Sequence, residues 1–160
     1  MPYDRRMRRL VLALLVAGMS LPSTARAESL GIGVFVGEPL GLDLKIDLAR
    51  RTALDFVFGA TTIRDNRVSY GHVTYLLTPF MARGRSVLVP FRLGVGAALY
   101  GALDDDTNFA VRFPFEIGFR FRRSPIEIYV EIAMKLTLLD ENDNNEFFDL
   151  DGGVGLRIYF

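Results

Sequence analysis

A serine hydrolase built from this chain would have to use His72, the sole histidine, and Ser69 lies three residues before it on the same predicted strand. Such a site needs the hydroxyl within hydrogen-bond reach of the imidazole, with an acid orienting the ring. Three residues apart on a strand, the two side chains point to opposite faces, and no Gly-x-Ser-x-Gly stretch occurs. His72 is therefore expected as a polar interior residue, and no enzymatic activity is expected. The acidic runs Asp104–Asp106 and Asp140–Glu146 lack the Gly-centred spacing of a calcium loop and are read as solvated loops. With no thiolate and a single imidazole, neither a metal nor a cofactor is expected.

The larger polar constellation is a set of alternating charges: Asp43, Lys45, Asp47, Asp55, Arg92, Arg112, Glu116, Arg120, Glu127, Glu131, Lys135, Asp149, Asp151 and Arg157. Eight acids face six bases, close to balance, as expected of side chains that neutralise one another in a confined space. The alternative is an ion path lined by charge.

What must position these residues is a series of strands. Period-2 alternation divides the chain into Leu30–Gly37, Leu40–Leu48, Thr52–Thr62, Val68–Leu77, Val87–Tyr100, Phe109–Arg122, Ile126–Leu139 and Phe147–Phe160. In FAVRFPFEIGFRFR, Phe109, Val111, Phe113, Phe115, Ile117, Phe119 and Phe121 alternate with residues that include Arg112, Glu116 and Arg120. In IEIYVEIAMKLTLL, Ile126 through Leu138 form the apolar face against Glu127, Glu131 and Lys135. No segment carries a capped 3.6-residue stripe. Eight strands predict an all-β fold, an antiparallel up-and-down barrel.

Alternation alone leaves two opposite objects. A soluble carrier of the lipocalin type puts the apolar face inside, whereas a transmembrane barrel puts it outside. Three features favour the transmembrane arrangement. Gly31, Gly33, Gly41, Gly94, Gly96, Gly118, Gly153 and Gly155 share the charged face, where a narrow interior needs small residues beside long ones. The last four segments run to about 14 residues, beyond the roughly 9–11 that a tilted strand needs to cross a bilayer. Finally, the connections EP, IRDNR, GALDDDTN and DENDNNE are acidic in sum, while ARR, TPFMARGRS and RSP with Arg122 are basic. Tyr75, Phe121 and Tyr159 are read as residues of the interface or rim.

The tight turn at Arg123-Ser124 sets a register with Arg120 opposite Glu127, Glu116 opposite Glu131 and Arg112 opposite Lys135. The last two pairs are like-charged, so those four residues must find partners elsewhere.

Residues 1–27 read as a cleaved secretory leader, with Arg5, Arg6, Arg8 and Arg9, an apolar run from Leu10 to Met19, and Ala25-Arg26-Ala27 as the cleavage site. Of the chain's 19 basic and 19 acidic residues, five Arg and one Asp lie in that leader. The remaining domain, 28–160, is net acidic, so no basic surplus is left for nucleic acid.

The stretch GIGVFVGEPLGLDLK with Gly37, Glu38, Pro39, Gly41 and Lys45, and the ending Gly152, Gly153, Gly155, Arg157 and Phe160, resemble minimal outer-membrane barrels of the OmpA/OmpX-like superfamily. The resemblance implies an outer-membrane location, contact with lipid, a monomer, a structural or surface-interaction role, and no established activity. It also implies that Phe160 is the C-terminal signal shown to the barrel-assembly machinery. Any surface partner would meet the acidic loops.

Overall fold

The computed structural model describes residues 29–63, 66–101, 103, 107–139 and 147–160. The leader and the acidic runs at Asp104–Asp106 and Asp140–Glu146 lie outside the described residues. Eight strands follow in order: β1 (Leu30–Glu38), β2 (Leu40–Ala49), β3 (Thr52–Ile63), β4 (Asn66–Arg83), β5 (Val87–Tyr100), β6 (Asn108–Phe121), β7 (Ile126–Leu139) and β8 (Phe148–Tyr159). Each is antiparallel to the next, and β1 pairs with β8 from Gly31↔Tyr159 to Glu38↔Gly152, closing the barrel. Closure removes both sheet edges, so the first and last ladders are satisfied as fully as the inner ones.

The side chains sort as the alternation requires. Ile32, Val34, Leu42, Phe113, Phe115, Ile128, Val130, Ile132, Leu156 and Ile158 are exposed on the outer wall. Asp43, Lys45, Asp55, Arg92, Arg112, Glu116, Glu127, Glu131, Lys135, Asp151 and Arg157 are buried within. The core of this protein is therefore rich in charge, with Phe35, Val57, Leu76 and several Ala and Tyr side chains packed among the ionic groups.

The register at β6–β7 brings Arg120 opposite Glu127, Glu116 opposite Glu131 and Arg112 opposite Lys135. β4 departs from the sequence reading: it continues well past Leu77, and the connection to β5 shrinks to Gly84, Arg85 and Ser86. The cause is a bulge, for Thr78 and Pro79 together oppose Arg92 between the pairs Leu77↔Leu93 and Phe80↔Phe91. A proline offers no ladder donor, and a bulge is where a strand tolerates that loss. The extra residue shifts the alternation by one position, so Phe80 faces outward although His72, Thr74, Leu76 and Thr78 face inward.

At the rim opposite the chain ends, the Gly-Glu-Pro turn has a cis Glu38-Pro39 peptide. Glu38 leans over β2 to β3, where its Oε2 accepts from the Thr61 hydroxyl at 2.7 Å and the Thr62 N–H at 2.9 Å. On the same rim, Gly101 leaves β5 at φ 76°, a conformation that suits glycine, and donates its N–H to the Ser69 carbonyl at 2.8 Å.

Candidate functional site: the charged lumen

The interior charges form three tiers between the rims. The middle tier is centred on Arg157 of β8, which is 0% exposed. Its Nε donates to Asp43 at 2.6 Å and its two terminal nitrogens reach Asp55 at 2.6 Å, Glu116 at 3.0 Å and Glu127 at 3.3 Å. These carboxylates come from β2, β3, β6 and β7, so one guanidinium joins five strands. The second cation, Arg92 of β5, meets Glu127 through a two-pronged fork at 3.0 and 2.8 Å and also pairs with Glu116. A planar fork with fixed donors suits this arrangement better than an ammonium would.

Aromatic rings complete the tier. The Arg157 guanidinium lies 3.7 Å from the Tyr129 ring centroid, and the Tyr129 hydroxyl donates to Asp43 at 2.6 Å. Phe35 and Tyr129 both sit directly across from Gly155, on opposite sides of β8, and their rings stack over it with centroids 5.9 Å apart. A Cβ at residue 155 would fall inside the Tyr129 ring. Glycine is thus required here by the approach of the Tyr129 ring, while the Phe35 ring crowds Gly153 in the same way. Tyr129→Phe, which keeps the ring and deletes the bond to a buried carboxylate, should destabilise the protein by about 1.5–3 kcal/mol in urea unfolding.

The tier nearer the chain ends holds Lys45, Asp47, Arg120 and Tyr159. Lys45 pairs with Asp47 and donates to the Tyr159 hydroxyl at 3.2 Å, while Tyr159 donates to Glu127 at 3.1 Å. Arg120 lies 3.6 Å from Asp47 and stacks on the Tyr159 ring at 3.8 Å. Tyr159, only 2% exposed, is therefore a luminal residue and not the rim residue expected from its type. Its neighbours explain the difference: residue 159 shares the inward phase with Arg157, and Gly31 opposite leaves room for the ring.

The third tier lies toward the other rim. Arg112 donates to Glu131 at 2.5 Å, to the Thr74 hydroxyl at 3.1 Å and to His72 Nε2 at 2.9 Å. Because a guanidinium only donates, Nε2 must accept, and the ring proton belongs on Nδ1, 3.2 Å from the Tyr70 hydroxyl. His72 is thus held between Arg112 and Tyr70. Ser69 has the opposite phase, and its Oγ accepts from the Leu103 N–H at 3.0 Å. Lys135 bridges Asp149 at 2.9 Å and Asp151 at 3.0 Å, and the Tyr100 hydroxyl bonds Thr137 at 2.8 Å. Asp149 departs from its expected interior position: its side chain is 51% exposed, because β8 has reached the rim there.

The like-charged neighbours of β6 and β7 are all resolved by reaching past one another. Glu116 turns to Arg92 and Arg157, Glu131 to Arg112, and Lys135 to the two aspartates. Comparison with family models, with curated proteins and with solved structures returns no match for the chain. Its function must be read from its own surfaces.

The residues missed by sequence reasoning are Phe35, Tyr70, Tyr100 and Tyr129, all buried in the lumen. Their signal was phase: each occupies a charged-face position, and Phe35 and Tyr129 each stand across from a glycine. Chemically, the arrangement fills and braces the interior.

Proposed function

We propose that this chain is an integral barrel of the outer membrane of a Gram-negative-type cell, exported by its leader, with a lumen closed by ion pairs and a structural or surface-interaction role. The observation that carries this reading is the inversion of polarity, with aliphatic and Phe side chains outside and fully buried Arg, Asp and Glu inside. An outer wall of that composition suits hydrocarbon, while a soluble carrier needs the opposite distribution. With the chain ends in the periplasm, the basic turns face inward and the acidic loops face the cell exterior. Phe160, exposed on the outer wall, would then be available to the assembly machinery.

Cell fractionation tests the reading, together with electrophoresis of the membrane sample with and without boiling. Protein in the outer membrane whose mobility changes on boiling is expected; soluble periplasmic protein without a shift would refute the proposal. Ile132, 58% exposed on the outer wall of β7, supplies a finer test. Ile132→Arg should destabilise the barrel in vesicles by roughly 2–4 kcal/mol if that position lies near the bilayer midplane. Planar bilayers containing verified folded protein should show no unitary conductance, since Arg157 and its partners occupy the axis. Stable ion steps would favour a narrow channel instead.

A further inference from the structure

The rim that carries the chain ends has a groove beside β4. β3 gives its last pair at Thr52↔Leu77, and β4 projects beyond it as far as Arg83. The Thr78 N–H donates to the Arg51 carbonyl at 2.7 Å; past that bond no described strand covers the β3 side of β4. The bulge at Thr78-Pro79 and the β2–β3 turn at Arg50-Arg51 bound a space of about 500 Å³ that Phe80, Met81 and Arg83 of β4 also line.

The charges around this groove are all of one sign. Arg50, Arg51 and Arg83 are exposed, and none has an ion-pair partner among the described residues. Asp47, the acid nearest in sequence to Arg50, points inward to Lys45 and Arg120. Phe80, 60% exposed, packs against Phe91 at 5.5 Å between ring centroids and forms an apolar lip.

We propose that this groove binds the phosphate of an anionic phospholipid in the periplasm-facing leaflet, with Arg50, Arg51 and Arg83 around the headgroup and Phe80 against its glycerol and acyl region. The inference rests on the membrane reading above. Three guanidiniums without carboxylates complement a phosphate diester, which their planar donors grip in pairs. The aromatic lip sits where such rings meet the interface. The β6–β7 turn also carries two arginines, Arg122 and Arg123, but no projecting strand or bulge beside it makes a groove.

The test uses the full mature chain, folded in mixed phosphatidylcholine and phosphatidylglycerol vesicles, extracted into non-ionic detergent and analysed for retained lipid by native mass spectrometry. Folding is checked first by the mobility shift on boiling. Wild type should retain phosphatidylglycerol over phosphatidylcholine, and each arginine should contribute about fivefold to that preference. The Arg50→Ser/Arg51→Ser/Arg83→Ser variant should lose roughly a hundredfold. Arg122→Ser/Arg123→Ser should lose little, and single substitutions serve if the triple variant does not fold. Competition by inorganic phosphate without lipid selectivity would mean that the groove takes free phosphate, overturning the lipid assignment. Equal retention of both lipids, or equal losses in the two multiple variants, would also overturn it. A wild-type chain that shows no mobility shift would strike the membrane reading itself.

Discussion

Arg157→Met should leave the chain unable to hold a closed barrel: no heat-dependent mobility shift, or a folded state weakened by at least about 3–5 kcal/mol in denaturant. Methionine fills much of the same volume, so the loss reports charge and hydrogen bonding. Without the guanidinium, Asp43, Asp55, Glu116 and Glu127 face one another in the middle tier, with Arg92 serving only the last two. Breaking a buried pair by removing one partner is costly because the other charge remains buried. Adding Asp43→Asn and Asp55→Asn to Arg157→Met should therefore recover a large part of the loss, a coupling that a double-mutant cycle measures. Arg157→Lys should fall between, since one ammonium cannot match four acceptors drawn from four strands. A barrel of wild-type stability carrying Arg157→Met would show that the central cation is dispensable.

Gly155→Val is expected to be comparably severe for a steric reason. The new Cβ would coincide with the Tyr129 ring, which is held by its bond to Asp43 and by the Arg157 guanidinium above it. Phe35 closes the other side. The ring has nowhere to turn, and overpacking of this kind costs about 3 kcal/mol or more once a buried hydrogen bond is lost with it. Gly155→Val/Tyr129→Gly should regain part of the stability by reopening the space. If Gly155→Val alone matched wild type in urea midpoint, the β8 glycine would not be the constraint described.

The eight strands were legible because alternation is unbroken in β6 and β7 and because turn residues punctuate the rest. Polarity of the two faces was also legible, through the glycines that accompany the charges. Pairing within the lumen was not. Register places Arg120 opposite Glu127, yet Glu127 is gripped by Arg92 from two strands away while Arg120 stacks on Tyr159. Long side chains meet across a narrow space at distances that depend on barrel curvature, which no local pattern encodes. Tyr159 was misplaced because its residue type suggested an interface, whereas its phase, shared with Arg157, pointed inward. The length of β4 was obscured by Pro79, whose usual meaning is a strand end and which here marks a bulge.

Arg157 lies close to the C-terminal end of the chain, and its partners Asp43 and Asp55 lie more than a hundred residues earlier. While β8 is absent, the acidic groups of β2, β3, β6 and β7 lack their common cation, and β1 lacks its second neighbour. Contacts of such sequence separation bring their stabilisation only after the intervening chain has been ordered. Assembly should accordingly be all-or-none, because the eighth strand supplies both the missing ladder and the central charge. A chain cut short before β8 should behave as an unfolded polypeptide, accessible to proteases throughout, rather than as a slightly weakened barrel.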